Sequence, residues 1–406
     1  MKIIILTQYF PPEVGAPQNR LSELAVRLKN KGADITVITA MPNYPQMTVH
    51  HEYKGKFYKK DEFNGILIHR CWIYCTKSKS IFKRLLNYFS FVFTSFFIGW
   101  FKLKKADFIF CESPPLFLGL SAYLLKKLKG AKLIFNVSDL WPESAEKLGL
   151  VTNKFFLKNA TKLEEFLYRK SFIVTGQTQG IVRNISGRFP QKNVYWLKNG
   201  VDISLHNAEV IPSDWRNQQG FSEDDILLMY GGILGHAQGL EIILFAAEKL
   251  ISYQNIKFII MGSGPEKEKL FEIKDEKKLN NVYFFNTIPK NELLFVVKSI
   301  DAAIIPLRKL DLFKGAIPSK IFEYCAMKKP ILLGVDGEAR ELFINEGKCG
   351  LFFEPENADS LAAQISEISS SRTLCEELGN NGYDYVKINF NRDDIANDFW
   401  ELLATK

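Results

Sequence analysis

Short apolar runs recur along the first half of the chain at Ile3 to Leu6, Ile35 to Ile38, Phe108 to Cys111, Leu133 to Val137, Phe172 to Val174 and Val194 to Trp196, with helix-length amphipathic stretches between them. The second half repeats the rhythm with Ile226 to Tyr230, Lys257 to Met261, Val282 to Phe285, Ala302 to Ile305 and Ile331 to Leu333. Strand-length runs alternating with helical patterns predict parallel sheets wrapped by helices. A chain of 406 residues exceeds the size at which one hydrophobic core stops growing, so two doubly wound α/β domains are expected. The turn-forming Lys198-Asn199-Gly200-Val201-Asp202 places the boundary near residue 200. The predicted organisation is a first domain over 1–199 and a second over 200–385. A C-terminal helix within 386–406 follows the last strand-like run and can cross back to the first domain.

Charge adds a second division. Residues 1–200 hold 31 Lys and Arg against 13 Asp and Glu, a net +18, whereas residues 201–406 hold 22 against 32, a net −10. A basic half attracts nucleic acid, an anionic membrane surface or a phosphorylated acceptor through the same long-range field. Its Lys and Arg cluster at Lys54 to Lys60, Lys77 to Arg84, Lys102 to Lys105 and Lys126 to Lys132, and several clusters flank the aromatic-rich segment Ser80 to Phe101. That pattern points to lipid rather than nucleic acid. The segment is too polar to span a bilayer comfortably. It fits either a helix lying in the headgroup zone or a helix buried against the first sheet. Met1 to Thr7 reads as a first strand, not a signal peptide. The scattered Cys71, Cys75, Cys111, Cys325, Cys349 and Cys375 fit reduced cytosolic thiols. The expected location is therefore cytoplasmic, peripheral on the inner face of the cell membrane.

Ligands of open parallel sheets bind beyond the carboxyl ends of the strands, and the residues there are rich in chemistry. After the first run comes a small-residue loop, Tyr9 to Pro17, containing Gly15. Glu112 follows the Phe108 run, and Asp139-Leu140-Trp141-Pro142-Glu143-Ser144 follows the Leu133 run. Glu112, Asp139 and Glu143 are the candidate catalytic carboxylates, with helix capping as the alternative for Asp139. In the second half, Gly231-Gly232 with His236, and Gly262-Ser263-Gly264, follow strands in the context where glycines let backbone amides approach a pyrophosphate. Gly315-Ala316-Ile317-Pro318-Ser319-Lys320-Ile321-Phe322-Glu323 reads as a loop and a helix start. Lys320 there supplies a mobile positive charge, and Glu323 is an acid able to accept bonds from both ribose hydroxyls. An ordinary capped helix reads equally well from that segment.

Taken in order, Gly15-Ala16, Asp139-Leu140-Trp141-Pro142-Glu143-Ser144, Asn199-Gly200-Val201-Asp202, Gly231-Gly232, Gly262-Ser263-Gly264-Pro265 and Pro318-Ser319-Lys320-Ile321-Phe322-Glu323-Tyr324 resemble the retaining glycosyltransferases of family four over nearly the whole chain. Within that family the chain is most similar to bacterial O-antigen and capsule enzymes that add N-acetylfucosamine-type deoxy sugars. The resemblance implies a GT-B fold, two Rossmann-like domains facing a cleft, with acceptor bound by the first and donor by the second. It implies that Glu323 holds the ribose, Lys320 and the Gly232 loop the diphosphate, and Ile317, Pro318 and Ser319 the sugar. Ile288 would meet the base, and Arg308 is a further phosphate candidate.

The expected reaction is transfer of a hexose, in this branch an N-acetylated deoxy sugar, from a UDP-sugar donor to an undecaprenyl-pyrophosphate-linked saccharide. No cofactor and no metal is expected, because no ligand cluster of the usual spacing occurs. Three departures from the family pattern stand out: Gly315 replaces a carboxylate, His236 and Gln238 replace a basic pair, and Cys111-Glu112 occupies a position where a His is common. A GT-B sugar-nucleotide epimerase and a noncatalytic nucleotide-sugar scaffold are the alternatives.

Overall fold

The computed structural model describes residues 1–13, 15–44, 46–78, 80–149, 151–204 and 214–405. Val14 of the first predicted loop and Lys79 of a basic cluster lie outside the described residues. The chain forms two compact units, Met1–Asn199 with Arg392–Lys406, and Gly200–Asn391. Residues 386–391 stay with the second unit.

The first unit is built on eight strands: β1 (Lys2–Leu6), β2 (Asp34–Ala40), β3 (Tyr58–Phe63), β4 (Ile66–Cys71), β5 (Phe108–Ser113), β6 (Lys132–Val137), β7 (Ile173–Gly176) and β8 (Val194–Trp196). Their order is β3-β4-β2-β1-β5-β6-β7-β8, parallel except for β3. Ile3 to Leu6 are buried along β1 because helices cover both faces of a parallel sheet, which explains an unbroken apolar run where an exposed sheet would alternate. The hairpin β3–β4 departs from the predicted rhythm. Tyr-Lys-Lys-Asp-Glu-Phe is polar and charged, as befits an edge strand that must not recruit another chain. Its turn, Asn64-Gly65, has positive φ at both residues, the geometry of a tight two-residue hairpin.

The second unit holds β9 (Ile226–Ile233), β10 (Ile256–Ser263), β11 (Val282–Phe285), β12 (Ala302–Pro306), β13 (Ile331–Gly334) and β14 (Gly350–Phe352). Their order is β11-β10-β9-β12-β13-β14, and every pairing is parallel. All six carboxyl ends therefore open on one edge. β9 and β10 run further than their apolar runs suggested, since Gly231↔Met261, Gly232↔Gly262 and Ile233↔Ser263 stay in register.

Helices α1 (Ala16–Asn30), α2 (Ile81–Lys102) and α3 (Leu118–Lys129) belong to the first unit. The aromatic helix α2 has one buried and one exposed face. Phe91, Val92, Ser95 and Ile98 are buried, and Ser95 Oγ donates to Ser121 Oγ of α3 at 3.0 Å. Gly99 lets the two helices close up, because a methyl group there would lie 2.8 Å from Leu125. Phe82, Leu86, Phe93, Phe97, Trp100 and Phe101 are exposed at the three- and four-residue spacing of a single helical stripe. No helix among the described residues is long and apolar enough to cross a membrane.

The helix Arg392–Ala404 completes the first unit. Asp393 accepts from Arg27 Nε at 2.6 Å, and Phe399, 1% exposed, meets Phe110 edge-on with centroids 6.1 Å apart. Phe399→Ala is expected to cost the first unit about 3–5 kcal/mol, the usual range for emptying a buried aromatic site. Hydrogen exchange of the β1 and β5 amides in the variant measures it, and unchanged protection contradicts the packing role.

Candidate active site

In the second unit, β9, β10 and the helix Lys320–Ala326 bring three of the predicted elements together. A methyl group built on Gly262 would lie 1.8 Å from the Gly232 carbonyl oxygen, and one on Gly264 would lie 2.3 Å from that of Leu234. Leu234 N–H donates to Ser263 O at 2.9 Å, and Glu266 N–H to Leu234 O at 3.0 Å. Gly262 and Gly264 thus serve backbone-to-backbone contact, and that contact fixes the course of the Gly231–Gly232 segment.

Lys320 rests on this segment. Its Nζ lies 3.8 Å from the centroid of the Tyr230 ring and 3.0 Å from where a methyl group on Gly232 would be. Burial of the ammonium pushes its pKa down to about 7, against the opposing pull of the nearby Glu323 carboxylate. The sequence suggested a mobile charge; the structure corrects this, because the aromatic face and the turn hold the side chain in place. Glu323, half-buried one turn along, shares a recess with Gly231, Lys320, Tyr324 and Leu293. Gly231 N–H donates to the Tyr324 hydroxyl.

The other predicted donor residues take separate positions along the same edge. His236 is exposed, with Nδ1 2.6 Å from Glu266 Oε1. Arg308 is committed to protein partners: Nε donates to His236 O at 2.6 Å, and the two terminal nitrogens meet Glu241 at 2.8 Å and Glu356 at 3.0 Å. It therefore reaches a phosphate only by giving up a carboxylate. Ile317, Pro318 and Ser319 are half-buried and link the turn Asp311–Gly315 to the Lys320 helix, with Ile321 N–H donating to Pro318 O at 3.1 Å. Ser319 occupies the N-cap position without a side-chain cap bond, which leaves the plain capping reading without its bond. Ile288 is half-buried in the loop after β11. A recess of about 430 Å³ opens beside Arg308, Lys314, Asp336, Arg340 and Phe352. Among the described residues, no group of three or more His, Cys, Asp or Glu is placed to hold a metal ion.

In the first unit the three candidate carboxylates have different surroundings. Glu112 is 3% exposed and lies within β5, not beyond it. It pairs with Arg20 of α1 at 2.8 Å, accepts from Asn136 at 2.7 Å and is bonded by Ser138. Gln177, with its amide oxygen turned to Arg20, accepts from the same guanidinium at 2.8 and 2.9 Å. Asp139 is half-buried; burial pushes its carboxyl pKa up although Ser144 and the Leu140 N–H bond to it. Its Oδ2 accepts from Ser144 Oγ at 2.8 Å, while the following helix Glu143–Lys147 has Pro142 at its N-cap position, so Asp139 is not a cap. Glu143 is partly exposed and pairs with Lys147 at 2.6 Å. Gly15 stands at the start of α1, where a methyl group would lie 2.5 Å from Gln18 Oε1.

Sequence reasoning missed Tyr230, Tyr324 and Arg20. Tyr230 adjoins a motif already singled out and Tyr324 ends one, but an aromatic residue within a strand or a helix reads as core until its partner is known. Because removing one partner of a buried ion pair strands the other, Glu112→Ala is expected to destabilise the first unit by about 3–5 kcal/mol. Chemical denaturation measures it. Lost turnover with unchanged stability would instead give Glu112 a chemical role.

Two family descriptions cover most of the chain. Residues 15–200 match the Glycosyl transferase 4-like domain, and residues 213–385 match Glycosyl transferases group 1. WcaI of Escherichia coli (strain K12), named for colanic acid biosynthesis, is 27% identical over 380 residues, covering 90% of this chain and 92% of that protein. Among solved structures, sucrose-phosphate synthase from Thermosynechococcus elongatus superposes with a TM-score of 0.77 at 15% identity, over 100% of this chain and 98% of that one. Anabaena Alr3699/HepE in complex with UDP and glucose gives 0.73 at 16% identity over 100% of both chains. With two parallel-sheet units of this topology and both halves matched to glycosyltransferase domains, the chain is a glycosyltransferase of the GT-B fold.

Proposed function

We propose that this enzyme is a retaining transferase that moves a hexose-type sugar, in the N-acetylated deoxy class, from a UDP-sugar to a saccharide carried on a polyprenyl pyrophosphate, undecaprenyl in bacteria, during surface-polysaccharide assembly. The observation that carries the reading is the meeting of Gly231–Gly232, Lys320 and Glu323 at the carboxyl edge of the second sheet. A bare backbone turn, a cation and a carboxylate are what a nucleoside diphosphate needs for its phosphates and its ribose. That HepE holds UDP and glucose and that WcaI is named for colanic acid biosynthesis support the same donor and the same setting.

On this reading the donor belongs to the second unit and the acceptor to the first. The transfer is a front-face substitution: the leaving diphosphate oxygen takes the proton of the acceptor hydroxyl as the bond to the anomeric carbon breaks. The protein's task is then to stabilise charge growing on the diphosphate, the kind of preorganised electrostatic term that dominates many enzymes. Lys320 and the Gly232 backbone supply it, and Ile317 to Ser319 line the sugar. Asp139 orients the acceptor, with Glu112 holding its sheet edge in place through Arg20. The reaction in this form uses no metal. The exposed stripe of α2, from Phe82 to Phe101, flanked by Lys83, Arg84 and Lys102, rests on an anionic membrane surface, aromatics in the headgroup zone and cations on the phosphates.

Glu323→Ala is expected to weaken UDP binding by about 2–3 kcal/mol, on the order of 50-fold in Kd, as two hydrogen bonds to a charged acceptor are lost. Calorimetry measures it, and unchanged affinity removes the ribose assignment. UDP release from a panel of UDP-sugars, with membrane lipid extract as acceptor, tests the reaction. Conversion of the UDP-sugar without UDP release would favour an epimerase. Replacing Phe93, Phe97 and Trp100 together with Ser is expected to abolish co-sedimentation with anionic vesicles, and retained binding rejects the membrane role of α2.

A further inference from the structure

Tyr230 has no part in the family resemblance, yet it is 1% exposed in β9 just before Gly231–Gly232 and touches both the Lys320 amine and that glycine segment. Its hydroxyl donates to Ile233 O at 2.6 Å, closing the strand end around Gly231–Gly232. Its ring face carries the Lys320 ammonium at 3.8 Å. An aromatic face attracts a cation through its quadrupole, most strongly where water is excluded, but it neither hydrogen-bonds the ammonium as water does nor neutralises it.

The charged and titratable neighbours of Lys320 are few. From β9 it faces the Tyr230 ring and the Gly231–Gly232 backbone. On its own helix it has Glu323 and Tyr324. The helix Lys290–Ser299 brings Leu293, Leu294 and Val297 to the same recess. Both tyrosines stay neutral phenols, since burial pushes their pKa values up. Glu323 is the one carboxylate among the described residues of that recess, and the Tyr230 face adds its weaker attraction.

Building on the donor reading above, we propose that Tyr230 is the positioning residue of the diphosphate site: it pins the Lys320 amine against the Gly231–Gly232 backbone, out of water, so that UDP and a proton bind together. The sign follows from the two states. Burial holds the empty-site pKa at about 7, and an arriving diphosphate stabilises the ammonium and raises it. Binding therefore takes up a proton at pH values above the empty-site pKa, and affinity falls as pH rises through that window.

Titration calorimetry of UDP into the full chain, at pH 8 in two buffers of different protonation enthalpy, reads the proton count directly. The terminal phosphate of UDP, with its second pKa near about 6, is already ionised at that pH. The expected result is close to one proton taken up per UDP, with affinity falling nearly tenfold from pH 8 to pH 9. UDP binding without proton uptake overturns the inference and leaves the donor reading intact, whereas failure to bind UDP overturns both. Tyr230→Phe, which keeps the ring, is expected to retain the uptake. Tyr230→Leu is expected to lose it as water reaches the amine, and wild-type uptake in a folded Tyr230→Leu protein overturns the positioning role. Lys320→Met tests the same point without disturbing the strand end: uptake is expected to vanish and UDP affinity to drop at least tenfold, and persistence of the uptake places the proton elsewhere.

Discussion

Two backbones touch where β9 and β10 end, and the strand-end surface of the second unit depends on that contact. Neither Gly262 nor Gly264 has room for a side chain against Gly232 and Leu234, so the strands stay paired through Ser263↔Ile233. Pairing that continues past the apolar runs holds Gly231–Gly232 as a bare, ordered surface instead of a loose loop. Lys320 then has something to lean on, and a phosphate group would meet peptide N–H groups that are already fixed. Preorganised dipoles are worth more than mobile ones because no reorganisation is needed when charge appears.

The cations along the same edge divide into two kinds. Arg308 is neutralised by Glu241 and Glu356, and these pairs tie the β12 loop to the segments carrying the two glutamates. Among the described residues of its recess Lys320 has one carboxylate, Glu323, and burial outweighs it. A desolvated amine on an aromatic face is poised to respond to an incoming anion, whereas a guanidinium bridging two carboxylates is already satisfied. The two residues look alike in sequence as basic positions after strands; their surroundings give them different work.

In the first unit, polar chemistry is buried rather than presented. Glu112, Arg20, Asn136 and Ser138 satisfy one another and stiffen the sheet edge from which Asp139 projects. The two faces of α2 are likewise separated by packing: one closes on α3 through Gly99 and Ser95, and the other leaves a stripe of aromatics exposed.

Near-continuous apolar runs identified the central strands of both sheets, because strands covered on both faces must be apolar throughout, and the loops after them marked the edge where ligands meet an α/β sheet. The hairpin β3–β4 escaped that pattern, since an edge strand is held by backbone pairing and carries Lys60 and Glu62 to solvent while Asp61 pairs with Arg70; its Asn64-Gly65 turn was the readable signal. Sequence determined which residues stand at the strand ends, because periodicity and turn chemistry are local. The tertiary structure alone decided that Glu112 is locked into an ion pair, that Arg308 is spoken for and that Tyr230 lies beneath Lys320. Those outcomes depend on which distant groups share a low-dielectric space, and desolvation and pairing across 48 to 92 residues leave no trace in local spacing.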